Sequence, residues 1–390
     1  MHYTFKTFLS GTGDCIMLLI ENNGVEVHIM VDCGVYSKDI KDFIHNKFHN
    51  VIDYLIVTHI DNDHILGVIS MLETETNLTV NQILYNCYQR RDNKGKPWDD
   101  RMKQNIKRLY GSLPPVIDMI EGKISSDSSL TLAELILGNG QWRKVWKREY
   151  ITDKTSDIPL GEGLGRIVFL SPNSDALTVL DMQYRMLFWQ KLYKQKNEDY
   201  QSEESIYEAL LRILNQEEIL DSLYKAHEVT SIHLTDDKLK EFAARKLEKL
   251  SINNVASIAF IWEEGNHRIL FLGDSDPAEV TKALKQKYQN EHLPIEFDAI
   301  KVSHHGSAHS TSLDILKVAN SEHFFFTGGS NKAPSLEAMS RIIISPIADD
   351  DRKRVLHFNR KNDNVNLIQN QNIMDQYKFE IDLTNNELSC

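Results

Sequence analysis

The stretch THIDNDHILG, residues 58–67, sets His59, Asp61, Asp63 and His64 within six positions, directly after the apolar run YLIV at 54–57. A short, apolar run of this kind reads as a buried strand, which puts the polar cluster at a strand mouth. Two explanations fit the cluster taken alone. It is either a polar turn that starts the helix expected over ILGVISMLE, or four side chains that fan out from one loop around a metal ion.

Two further strand-end loops favour the metal. Asp274 closes LFLGD (270–274), and His304 and His305 stand in KVSHHGS (301–307). Divalent metals in hydrolases take imidazole nitrogens and carboxylate oxygens from rigid strand ends, with one position left open for water. A carboxylate between two ions can bridge them, which suits Asp274, and the ion makes water a nucleophile at neutral pH by lowering its pKa. Each loop alone has an ordinary explanation as helix cap, β-turn or surface pair. All three together, each directly after an apolar strand, point to a metal site.

Outward from these loops the chain alternates strands and helices. YTFKTFLS and CIMLLIE read as strands, and Asn-Gly at 23–24 as a hairpin turn into VEVHIMVD. Ile40, Phe43, Ile44 and Phe48 make one helical face, with Ser37 as N-cap. NQILYNC, ASIAFIWEEGNHRILFLGD, IEFDAIK and HFFFTGG supply further strands, and LDILKVAN a helix. Residues 90–150 form a basic and aromatic insertion, and residues 174–250 a charge-rich helical one.

A chain of 390 residues with 41% hydrophobic content can build a large core, here expected as one domain carrying these insertions. A net charge of −12 excludes a blanket basic surface for nucleic acid but not a local groove. The cysteines (Cys15, Cys33, Cys87, Cys390) are far apart without CxxC pairing, so neither a disulfide framework nor a zinc-thiolate site is indicated. The N-terminus lacks a signal-peptide pattern, and no apolar stretch reaches the ~20 residues of a membrane span. A soluble, cytoplasmic protein without membrane contact is expected.

The sequence resembles the metallo-β-lactamase fold, and within it the hydrolases related to the DNA-processing domain of the ComEC competence proteins. FLSGTGDCIMLLIE (8–21) is similar to that family's opening strand, Gly-x-Gly-Asp turn and second strand, and VDCG (31–34) to its Asp-x-Gly. THIDNDHILG is similar to its signature loop, with Asp in place of the second histidine. FLSP (169–172) and residues 253–277 resemble the approach to its bridging aspartate, and DAIKVSHHGS (298–307) is the most specific marker. FFFTGGSNKAPSLEAMSRII (324–343) matches its closing strand, loop and helix.

The resemblance implies a four-layer αββα sandwich and one or two divalent ions, Mn²⁺, Zn²⁺ or Mg²⁺. Asp63, His64, Asp274 and His305 would hold one ion; His59 and Asp61, sharing Asp274, would hold the other. Asp32 would orient ligands from behind, Asp63 would accept a proton, and His304 would donate one or touch phosphate, with Ser307 on the substrate. Gly11 and Gly13 read as turn formers, since no helix follows them.

Two departures from the family pattern stand out. No histidine between His64 and Asp274 matches the usual third ligand of the first ion; His227 and His233 fall in the helical insertion and read as surface residues. Asp61 in place of an imidazole hardens the site toward Mn²⁺ or Mg²⁺. Ala333 stands where the pattern leads us to expect a histidine before Pro334, either lost from this protein or replaced by engineering.

For substrate, the resemblance implies phosphodiester hydrolysis of DNA or RNA. Arg90, Arg91, Lys94, Lys96, Arg101 and Lys103, with Trp98, form one candidate strand-binding patch. Trp142, Arg143, Lys144, Trp146, Lys147 and Arg148 form a second. The plain alternative for both is a solvated face with anchoring tryptophans. A hydrolase of lactones, thioesters or β-lactams, and a partner-gated effector subunit of a phage-defence system docking an ATPase or sensor through the helical insertion, remain open alternatives.

Overall fold

The computed structural model describes residues 1–87, 131–147, 149–191, 208, 234–247, 249–347 and 352–390, with side chains described to 182 in the helix that ends at 191. The patch from Arg90 to Lys103, Arg148, His227 and His233 lie outside the described residues.

The first sheet contains β1 (His2–Thr7), β2 (Ile16–Asn22), β3 (Val25–Val31), β4 (Val51–Val57) and β5 (Thr79–Tyr85). The second runs through β6 (Ile158–Gly161), β7 (Gly165–Ser171), β8 (Ala259–Glu264), β9 (His267–Phe271), β10 (Ile295–Lys301), β11 (Ala319–Phe326), β12 (Arg354–Phe358) and β13 (Phe379–Asp382). A last strand, β14 (Glu387–Ser389), returns to the first sheet and pairs antiparallel with β1. The orders are β14-β1-β2-β3-β4-β5 and β13-β12-β11-β10-β9-β8-β7-β6.

Strand alternation explains why the sheets stack. Side chains along a strand point to opposite faces. Ile16, Leu18 and Ile20 of β2 join Phe260, Trp262 and Phe271 of the second sheet in a core between the sheets. Met17 of the same strand points the other way, with Met30, Leu55 and Ile83, toward helices α1 (Lys38–Asn46) and α2 (Asn62–Thr74). On the far side, Ile261, Leu270 and Ile300 pack with Val280 and Leu284 of α3 (Pro277–Lys287) and Met339 and Ile342 of α4 (Leu336–Ile344). The layers are therefore helix, sheet, sheet, helix: the αββα sandwich expected from the sequence.

Local chemistry sets the element ends. Ser37 caps α1 by accepting from the Ile40 amide, as expected, and Asn23 and Gly24 take positive φ in the β2–β3 hairpin. The helix expected over LDILKVAN is confined to Leu313–Leu316, because Ala319 already enters β11 beside β10. Of the helical insertion, the described parts include Ser174–Lys191 and Asp236–Ala244. Glu208 is buried and accepts from the Leu132 and Ala133 amides at 2.8 Å, capping the helix Leu132–Gly138. Trp142 and Trp146 are buried in the core outside the first sheet, and the Trp146 indole donates to the Tyr85 carbonyl. They are anchors and offer no face for base stacking, while Arg143, Lys144 and Lys147 beside them are not buried. Among the described residues, no helix is long and apolar enough to cross a membrane.

Candidate metal centre

β3 and β4 run parallel, as do β9, β10 and β11, so their C-terminal ends carry loops to shared edges of the two sheets. Asp32 follows β3, the His59–His64 loop follows β4, Asp274 follows β9, the two histidines follow β10, and Thr327 follows β11. With the sheets face to face, these loops meet. His305 Nε2 lies 3.0 Å from an Asp63 oxygen, and Asp274 lies 3.5 Å from His64 Nε2 and 3.6 Å from His59 Nε2. His59 Nε2 is 3.2 Å from Asp61, and His304 Nε2 is 3.7 Å from Asp274. Two sets, His59/His64/Asp274 and Asp63/His64/His305, each offer ligand atoms within 4.8 Å of one another.

Hydrogen bonds behind the ring fix each histidine's tautomer. His64 Nδ1 donates to Asp32 at 2.8 Å, since a carboxylate only accepts. Thr58 Oγ1 gives its proton to Asp32, so it receives from His59 Nδ1 at 3.0 Å. His305 Nδ1 faces the Thr327 carbonyl at 2.9 Å and an Asp14 oxygen at 3.0 Å, both acceptors. In the neutral form, all three rings therefore turn a bare Nε2 toward the centre. His304 is the reverse: its Nδ1 accepts from the Asn254 amide at 3.2 Å, which leaves the proton on Nε2.

The donor set fits a divalent ion. His59 Nε2, His64 Nε2 and Asp274 Oδ1 are buried without a well-formed hydrogen bond, facing one another and Asp61 across 3.2–3.6 Å, a costly condition with neutral imidazoles unless a further group satisfies them. Burial opposes charge here, but the facing groups prevail. His64 is pushed well above the ordinary imidazole range by Asp274, Asp32 and Asp63, and His305 is raised to about 10 by Asp14 and Asp63. Asp63 and Asp274 are held below the ordinary carboxylate range, each by His64 first among its charged neighbours.

The backbone works to the same end. His304 and His305 take φ of +50° and +53°, a left-handed pair that non-glycine residues seldom adopt and that clusters at functional sites. Gly13 allows the closest approach: a Cβ there would fall 1.6 Å from the Asp63 carbonyl oxygen, which accepts from the Asp14 amide. Gly13 is thus a turn former that also lets the first turn press on the His59–His64 loop.

Asp32 stands behind His64, and Ser307 Oγ lies 3.2 Å from His304 Nδ1. Ala333 is half-buried in the loop whose Pro334 packs beside Gly306. Sequence reasoning assigned no role to Asp14, Lys301, Asn253, Asn254, Ser257 or Thr327. Asn253 donates to Asp61 at 3.1 Å, and Ser257 Oγ accepts from the Asp274 amide at 3.0 Å. All six stand inside the stretches that resemble the family, which is the signal the sequence offers for them.

No family model matches the chain, and no curated protein matches it. Among solved structures, a mutant of the CmlA beta-hydroxylase aligns at 10% identity with a TM-score of 0.39, over 99% of this chain and 53% of that one. This chain therefore spans about half the length of that protein. A diphosphatase from the PhnP family aligns at 10% identity with a TM-score of 0.32, over 84% of this chain and 86% of that one. Likenesses this distant carry no argument about chemistry, which rests on the geometry.

Proposed function

We propose that this chain is a metal-dependent phosphodiester hydrolase with nucleic acid as its substrate class. The observation that carries the metal is the convergence of His59 Nε2 and His64 Nε2 on Asp274, at 3.6 and 3.5 Å, with both nitrogens and Asp274 Oδ1 buried and without a well-formed hydrogen bond. His59, His64, Asp274, Asp63 and His305, with Asp61 alongside, would hold one or two ions. A bound divalent ion would supply charge stabilisation for an in-line displacement at phosphorus and would lower the pKa of the attacking water, so that it gives up its proton at neutral pH. The phosphodiester preference rests on the sequence resemblance around DAIKVSHHGS.

The side chains divide the remaining work. Asp63, part-exposed beside His305, accepts the proton of the attacking water. His304, whose side chain is about a third exposed, presents Nε2–H to the leaving oxygen. The opposite tautomers of His304 and His305 support His305 as ligand and His304 as donor. Ser307 and Asn254 hold the His304 ring for that role.

One observation favours a small substrate as the second reading. A cavity of about 750 Å³ is lined by Ile252, Val255, Asp276, Thr281, Lys285 and His309, among others. Asp276 lies two residues beyond Asp274, and Ile252 and Val255 flank Asn253 and Asn254. The volume is that of a small-ligand site. A lactone, thioester or β-lactam hydrolase is the reading such a pocket would suit, and it adjoins the candidate ligands in sequence without being lined by any of them.

The test is cleavage of linear, circular and single-stranded DNA and of bis(p-nitrophenyl) phosphate with Mn²⁺, Mg²⁺ or Zn²⁺, against Asp63→Ala/His64→Ala. Metal-dependent DNA cleavage that weakens steeply with salt and vanishes in the double variant is expected. Turnover of lactones or thioesters with none of DNA would overturn the nucleic-acid reading.

A further inference from the structure

Behind the ligands lies a buried ion pair that the reaction as described does not use. Lys301 ends β10, is essentially fully buried, and its ammonium touches Asp14 Oδ2. The same ammonium donates to the Gly273 carbonyl at 3.3 Å, directly before Asp274. The other Asp14 oxygen receives the Thr327 hydroxyl and faces His305 Nδ1 at 3.0 Å. Asp14, Asp32 and His64 offer a third set of possible ligand atoms within 4.8 Å of one another, and on Asp14 the protein's own cation already sits.

Resting on the metal-centre reading, we propose that Lys301 and Asp14 are positioning residues: a built-in cation and its carboxylate that hold His305 and the Asp274 loop in ligand geometry. The argument is one of charge and reach. Asp32 and Asp14 each back one ligand histidine, and two buried carboxylates this close need a compensating positive charge. Lys301 supplies it from the strand that carries His305, so a single side chain links the β9 and β10 loops to the turn at Asp14. Without the ammonium, Asp14 is an uncompensated buried charge. Without Asp14, His305 keeps only the Thr327 carbonyl behind it.

The test measures Mn²⁺ and Zn²⁺ affinity of the full chain by competition with a chromophoric chelator, beside thermal melting of the metal-free protein. Lys301→Met/Asp14→Asn removes both charges together and avoids an orphaned ion. It is expected to melt cooperatively while losing about 10–100-fold in metal affinity. Thr327→Val, which deletes only the hydroxyl that orients Asp14 and keeps the side chain's shape, is expected to fold and to lose affinity in the same direction, less steeply. Folded variants that bind metal as wild type does would reduce the pair to a structural role and overturn the proposal. Wild-type protein that binds neither ion would instead overturn the metal-centre reading itself, and this inference with it.

Discussion

His64 Nδ1 donates to Asp32 Oδ2 at 2.8 Å, and the same carboxylate takes the Thr58 amide and hydroxyl, each at 2.7 Å. One buried acid thus orients His64 and ties the end of β3 to the end of β4. Asp32→Ala should lower metal affinity about 10–100-fold, because the His64 tautomer is no longer enforced. It should also destabilise the fold by about 1–3 kcal/mol for each donor left unsatisfied. Chelator competition and thermal melting read the two effects separately, and unchanged affinity would remove Asp32 from the site.

Gly13→Ala tests the close approach of the first turn. A methyl group has no room 1.6 Å from the Asp63 carbonyl, and the atom it meets is backbone, which cannot swing aside. The expected cost is about 1–3 kcal/mol or more, with weakened metal binding because the Asp63–His64 loop must shift. A melting temperature within error of wild type would show that the turn yields freely.

Ala333→His tests whether position 333 is where the site lacks a proton donor or phosphate contact. The loop around it is held to the His304–Gly306 turn by the Ser335 amide, which donates to the Gly306 carbonyl at 2.9 Å. If the histidine acts as a general acid, turnover of bis(p-nitrophenyl) phosphate should rise by about 10-fold or more. An unchanged rate would mean that His304 suffices or that residue 333 does not reach the substrate.

A pH dependence should come from a site away from the candidate metal centre. His357 Nδ1 donates to the Asn385 carbonyl at 2.9 Å, so its Nε2 accepts from His323 Nδ1 at 3.0 Å. Burial holds both imidazoles below their ordinary range, against the opposing pull of Asp298, Glu322 and Glu380 around His323 and Asp382 beside His357. A folded pKa below the unfolded value of about 6.5 means the pair's contribution is full above that pH and is lost as pH falls through the folded values. His357→Phe, which can keep the stack on Phe325, should flatten the fall in melting temperature below about pH 6.5. A slope identical to wild type would place the acid sensitivity elsewhere.

Local pattern was enough for much of this architecture. The strands around YLIV, LFLG and DAIK and the Ser37 cap follow from periodicity and turn chemistry, which act within a few residues. The loops carrying His59, Asp61, Asp63, His64, Asp274, His304 and His305 were legible for the same reason: strand ends are readable, and metal-ligating residue types there are few. The tertiary structure decided what depends on partners remote in the chain. A buried lysine is written like an exposed one, so nothing in Lys301 announced that Asp14 would neutralise it. Trp142 and Trp146 among basic residues read as stacking platforms or, somewhat more readily, as anchors, and the core outside β5 claims them. The tautomers of His304 and His305, adjacent in sequence, differ only because Asn254 faces one and Asp14 and Thr327 face the other. Sequence named the groups at the strand ends; packing decided which of them meet and which atom of each faces the others.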